Sequence, residues 1–248
     1  MSSTRFERCG TTGANCGDED RHASHLRNER VRNGVVELER QLRRGEEVSK
    51  HNQSKLAEHY AQLFRQHGDS PEAVQLNSEG QRFRFEKLVQ IADLSGCSIL
   101  DVGCGLGHLY PFIISKVGPV SYTGVDIVPD SIEFAARKYP AASFVCRDII
   151  KHGLDAKFDY VLSSGVCNNN IQDVDHTRFM LDLVTAAFAH CTKGLGFNFI
   201  STHVNFRDAE MAYHDPVVVL DYCIRNLSRK VVLSHHYERC DVSVFIYR

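Results

Sequence analysis

One stretch, SILDVGCGLGHLYPF at residues 98–112, restricts the architectures open to this 248-residue chain more than any other. An apolar run of strand type ends at Asp101 and Val102. Gly103, Gly105 and Gly107 follow at alternate positions, and an apolar stretch of helical type begins after them. Glycine lets a backbone turn sharply and lets a bound molecule approach the main chain. A helix starting directly after such a turn aims its free N–H groups and positive dipole end at whatever the loop holds. Strand, glycine turn and helix in that order suit an open α/β sheet, whose site lies beyond the carboxyl ends of the strands near a topological switch point.

The rest of the chain continues the alternation. Strands are expected at SILDV, VSYTGVDI, ASFVCRDI, FDYVLSSG and GLGFNFIST. Helices are expected at GHLYPFIISKV, VPDSIEFAARKYP, with Asp130 as its cap, DVDHTRFMLDLVTAAFAHC and DPVVVLDYCIRN. Such alternation implies parallel pairing in a doubly wound sheet. RKVVLSHHY and CDVSVFIYR follow each other without a helix, so they pair as an antiparallel hairpin turning near 238–240. The predicted fold is α/β: a Rossmann-like, seven-stranded, mostly parallel sheet with a reversed C-terminal strand at its end.

Ahead of the sheet, residues 1–30 are polar and aperiodic and read as a loosely held tail. Residues 31–96 read as a helical cap: Val35, Leu38 and Leu42 recur at helical spacing. Leu56, Tyr60, Leu63 and Phe64 share one face before Gly68 and Pro71, and Ser78 caps a helix striped by Phe85, Leu88, Val89 and Ala92. Residues 97–248 form the core domain. No apolar run is long enough to span a bilayer and no secretory signal precedes the fold, so a cytoplasmic protein without a membrane partner is expected. A net charge of −2 offers no broad cationic face for nucleic acid. The nine cysteines contain no C-x-x-C pair and read as reduced thiols. His235 and His236 are adjacent in a strand-like run and point to opposite faces, so no metal site is expected.

The glycine spacing is G-x-G-x-G, with His108 where the third glycine of a dinucleotide fingerprint would stand. Asp101, two residues before the first glycine, would repel a pyrophosphate and suit an ammonium group. Asp126 ends the next strand, near the spacing at which an acid grips a ribose diol, and Asp148 follows FVCR, where a carboxylate can accept from an adenine amino group. Three acids closing successive strands suit a ligand with an ammonium, a ribose and an adenine.

With these residues the chain resembles the class I S-adenosylmethionine-dependent methyltransferases. ILDVGCGLG, YTGVDI, FVCRDI and FDYVLSSGV look like that family's successive signature segments, over about residues 80–248, and the C-terminal hairpin matches its reversed seventh strand. The layout is similar to small bacterial methyltransferases of biosynthetic clusters. The resemblance implies S-adenosylmethionine as cofactor and S-adenosylhomocysteine as product. It implies that Asp101, Gly103, Cys104, Gly105 and Gly107 cradle the methionine part, Asp126 and Ile127 meet the ribose, and Asp148 and Ile149 border the adenine. Ser164 and Gly165 would flank the sulfonium, Arg84 would reach the carboxylate, and Tyr60 would belong to a lid.

Methyl transfer needs alignment, water exclusion and an electron-rich acceptor. After the fourth strand, SSGVCNNNIQDVDH lacks the Asn/Asp, double proline and aromatic usual in adenine and amide N-methyltransferases, and lacks the acid of magnesium-dependent ones. Asn168 and Asn169 remain candidates for substrate hydrogen bonds, as do Arg207 and Tyr213 in STHVNFRDAEMAYHDP. His203 is the best-placed base by sequence, ahead of His176 and His214. The expected reaction is methylation of an oxygen or nitrogen of a small-molecule acceptor. The alternatives are a protein or RNA acceptor, or S-adenosylmethionine binding without turnover.

Overall fold

The computed structural model describes residues 49–74, 78–171, 174–236 and 240–248, all within the compact unit 42–248. The expected tail, the Val35–Leu38–Leu42 stripe and the turn residues 237–239 lie outside the described residues. Two helices come first: α1 (Ser49–His67), ended by Gly68 at φ 62°, and α2 (Ser78–Leu88). Then follow β1 (Ser98–Val102), α3 (Leu109–Val117), β2 (Ser121–Asp126), α4 (Pro129–Lys138), β3 (Ser143–Cys146), α5 (Ile149–His152) and β4 (Phe158–Ser163). The chain closes with α6 (His176–Ala189), β5 (Cys191–Ile200), α7 (Pro216–Asn226), β6 (Val231–Ser234) and β7 (Asp241–Tyr247).

The seven strands form one sheet in the order β3-β2-β1-β4-β5-β7-β6. β1 through β5 run parallel, and β7 is antiparallel to both β5 and β6. The reversed strand thus lies between β5 and β6 rather than at the sheet's end. β1 pairs with β2 on one side and β4 on the other, so the switch point falls at its carboxyl end. There Asp101 stands opposite Gly124 and Leu162.

Side chains alternate across a strand, and β1 uses both faces. Leu100 and Val102 join Met180, Val184 and Leu195 in one core layer; Ile99 joins Phe85, Leu88, Ile113 and Tyr122 in the other. Asp101 shares the Ile99 face, where Tyr122 is its neighbour, so strand periodicity itself buries this carboxylate.

Two local expectations change. The third strand stops at Cys146 instead of running to Ile149. Asp148 takes an extended conformation and accepts from the Lys151 N–H at 3.0 Å, capping the one-turn helix α5, which Gly153 ends at φ 54°. α4 is capped not by Asp130 but at Val128, with Pro129 in its first turn. Asp130 sits exposed in that turn, where its charge complements the dipole.

Candidate functional site

The carboxyl ends of β1, β2 and β4 open into a cavity of about 1120 Å³, its open mouth included. The glycine loop, the turn after β2, residues 147–150 and residues 164–166 form one wall. Leu56 and Tyr60 of α1 and Gln81 and Phe85 of α2 complete the lining. Of the residues expected from sequence, Tyr60, Asp101, Gly103, Cys104, Gly105, Asp126, Ile127, Asp148, Ile149, Ser164 and Gly165 all line it.

The loop is built on positive φ: 73° at Gly103, 51° at Gly105 and 76° at Gly107. Gly103 is also sterically required, because a Cβ there would lie 2.2 Å from Val166 Cγ2. Gly107 has a different job from the one expected. It is not part of the cavity wall; a Cβ would come within 2.9 Å of the Phe144 ring, so this glycine seats the loop against β3.

The acids are held firmly. Asp101 is 2 % exposed and accepts from the Tyr122 hydroxyl at 2.5 Å. Burial, aided by the charge of Asp126 and opposed by that hydrogen bond, pushes its carboxyl up to about 7. Asp126 accepts from the Gly105 N–H at 2.9 Å and the Val128 N–H at 3.0 Å; burial raises its pKa, and these bonds oppose the rise. A carboxylate offers about four lone-pair directions, so Asp126 keeps acceptor capacity for a ligand while it fixes the loop. Burial also pushes the Cys104 thiol well up, leaving it neutral.

On the β4 side, the Gly165 N–H donates to Asn198 Oδ1 at 2.8 Å, and Ser164 Oγ is buried on the wall with no hydrogen-bond partner among the described residues. Tyr60 Oη accepts from Asn169 Nδ2 at 2.5 Å, joining α1 to the loop after β4. Burial, with the charges of Asp126 and Cys167, raises the Tyr60 pKa, so it stays a neutral phenol. Phe64, on the same helical face as Tyr60 by sequence, packs edge-on against Phe134. A buried acid poised near neutrality, further carboxylates, an unpartnered hydroxyl and apolar Ile127 and Ile149 can hold a ligand that is cationic at one end and a polar heterocycle at the other.

The remaining candidates are not on this wall. Arg84 is 9 % exposed, and its Nε donates to Asp241 Oδ1 at 2.6 Å at the start of β7. Gln81 and Phe85, one helical turn apart, take the cavity side of α2, while Arg84 clamps the helix to the sheet. The expectation that it reaches a bound carboxylate is corrected accordingly. Removing one partner of a buried pair leaves the other charge uncompensated. Arg84→Ala is therefore expected to cost about 3–5 kcal/mol of stability, read as a lower denaturant midpoint.

His203, expected as the base, is exposed beside His235 and is not among the residues that line the cavity. Arg207 stacks on the Tyr213 ring at 5.2 Å, and the Tyr213 hydroxyl accepts from the Asp208 N–H, so both brace their own loop rather than a substrate. Asn168 is buried, and Asn169 meets the site through its hydrogen bond to Tyr60. His176 and His214 hold the loop after β4. His176 Nε2 accepts from the Ile171 N–H at 3.2 Å, and His214 Nε2 donates to the Cys167 carbonyl at 2.8 Å. Desolvation lowers both pKa values. Gln81, His108, Val166 and Phe179 line the cavity without having been expected there. For Gln81 the helical spacing to Phe85 was a usable signal.

Comparison with known proteins agrees with this geometry. Residues 93–193 match a family model described as a methyltransferase domain. A Mycobacterium tuberculosis protein named as a methyltransferase is 29% identical over 160 residues, 60% of this chain and 92% of that protein. The malonyl-[acyl-carrier protein] O-methyltransferase of Acetivibrio thermocellus is 35% identical over 89 residues, covering 34% of this chain but only 31% of that protein. Among solved structures, the magnesium protoporphyrin IX methyltransferase of Synechocystis with bound S-adenosylhomocysteine shares the fold. Its TM-score is 0.55 at 16% identity, over 77% of this chain and 93% of that one.

Proposed function

From the premise that this chain is a class I S-adenosylmethionine-dependent methyltransferase, we propose that it methylates an oxygen or nitrogen of a small-molecule acceptor enclosed beneath α1 and α2. S-adenosylmethionine supplies a methyl carbon on a positively charged sulfur, open to in-line attack. The observation that carries the small-acceptor reading is that Leu56 and Tyr60 of α1 and Phe85 of α2 line the same cavity as the glycine loop. Relatives named for malonyl-[acyl-carrier protein] and for phthiotriol dimycocerosates lend support, although each match spans only about a third of this chain.

The donor set fits the cofactor. Asp101 receives the ammonium, a match for a buried carboxyl that needs a positive partner to stay ionised. Gly103, Cys104 and Gly105 bring main chain against the methionine part. Asp126 accepts from the ribose hydroxyls beside Ile127, and Asp148 and Ile149 border the adenine. Ser164 Oγ and Gly165 flank the sulfur, where Oγ turns a lone pair toward the positive charge. Tyr60, held by Asn169, closes the site and excludes water as a neutral phenol. None of these steps requires Arg84 or His203.

The test is an incubation of the full chain with methyl-labelled S-adenosylmethionine and a cell extract, then separated into small-molecule, protein and RNA fractions. Label is expected in the small-molecule fraction. Label confined to protein or RNA contradicts the proposal.

A further inference from the structure

Gln81 and His108 line the same cavity as Asp101 and the glycine loop, yet the cofactor assignment above uses neither. They end a polar chain that reaches to the exposed surface. Lys138 Nζ donates to Asp69 Oδ1 and Oδ2 at 2.8 and 2.6 Å. Asp69 Oδ1 lies 3.0 Å from His108 Nε2, and His108 Nδ1 lies 3.3 Å from Gln81 Nε2. Burial is the largest single influence on Asp69 and opposes its ionisation, but the His108 and Lys138 contacts together outweigh it and hold the carboxyl below the usual range.

That ionised acceptor sets the direction of the whole chain. A carboxylate only accepts, so in the neutral ring the His108 proton sits on Nε2. Nδ1 is then the acceptor, and it must be met by the N–H₂ end of the Gln81 amide, because its oxygen there would face a lone pair. One amide N–H is taken by the ring. The other is a donor that Gln81 brings to the cavity wall. Asp101, Asp126 and Asp148 make much of that wall repellent to an anion. Arg147, the only guanidinium on the wall among the described residues, turns its Nε to the Gly153 carbonyl and Nη2 to the His152 carbonyl.

We propose that Gln81 is the donor that receives the α-carboxylate of the cofactor's methionine part, with His108 and Asp69 as positioning residues that fix the amide's orientation. The proposal rests on the cofactor placement given under Proposed function, and it assigns to the Gln81 face of α2 the task expected of Arg84.

Calorimetric titration of the full chain separates the two ideas. The ligands are S-adenosylhomocysteine and S-adenosyl-3-thiopropylamine, which keeps the amine and lacks only the carboxylate. Gln81→Glu, nearly isosteric and anionic, is expected to weaken S-adenosylhomocysteine about tenfold or more while leaving the decarboxylated ligand within about twofold. His108→Ala is expected to show the same selectivity with a smaller loss. Equal losses for both ligands, or no loss, would overturn this assignment alone. Failure of the unaltered chain to bind either ligand would overturn the cofactor placement and this assignment with it. Thermal melting of each variant identifies any that does not fold, and Gln81→Ala, which adds no charge, then supplies the comparison.

Discussion

A chain carrying Gly103→Val is expected to lose S-adenosylhomocysteine affinity by about a hundredfold or more while keeping its sheet. Two effects add. The backbone at Gly103 has φ 73°, which a β-branched side chain resists by about 1–2 kcal/mol. Its Cβ would also stand 2.2 Å from Val166 Cγ2, an overlap that typically costs about 1–3 kcal/mol in a packed site. The glycine loop must then move away from the 164–166 segment, and the cavity loses its shape. β1 and β4 pair through residues 99–101 and 160–162, one turn back from the loop, so the strain is local. Isothermal titration reports the affinity and far-UV circular dichroism the fold. Undiminished binding would mean that the loop is not the cofactor's cradle.

The second large effect is on pH. The Asp101 carboxyl, pushed up to about 7, is half protonated near neutrality in the empty site. An ammonium ligand needs it ionised. Affinity for S-adenosylhomocysteine is therefore expected to fall about tenfold between roughly pH 8 and pH 6, because at pH 6 the site must release the Asp101 proton as the ligand enters. The ligand-free fold responds in the opposite sense. Its raised pKa means that it holds a proton that the unfolded chain releases, so this group adds stability as pH falls from about 7 toward the ordinary carboxylate range. Asp101→Asn should flatten the pH dependence of binding and weaken affinity at pH 8 to about the wild-type level at pH 6. A pH dependence that survives this substitution would show that another group carries it.

The parts of the site that lie at strand ends were legible in the sequence because two short-range rules fix them. Strand periodicity decides which way Asp101 points, and the turn after each strand decides where Asp126 and Asp148 emerge. The parts that depend on how one element is rotated against another were not. Arg84 and Gln81 sit three residues apart on α2. Only the packing of that helix sends one to Asp241, 157 residues away, and the other to the cavity. Asp69 and His108 meet across 39 residues through a contact that no periodicity announces. His203 follows β5, which contributes no residue to the cavity lining, and it stands beside His235 instead. The insertion of β7 between β5 and β6 escapes for a related reason, since a hairpin pattern fixes which strands pair but not which of them takes the inner place. Gly107 reads like a member of the cradle from its spacing, although the rings of Phe144 and Tyr139 explain it.

The most direct test is a titration of the full chain with S-adenosylhomocysteine at pH 8, followed by competition with NAD. Saturable binding of one ligand per chain, unaffected by NAD, is the result that three strand-end carboxylates around a glycine turn predict. Absence of binding, or displacement by the pyrophosphate-bearing NAD, would contradict the assignment at its root.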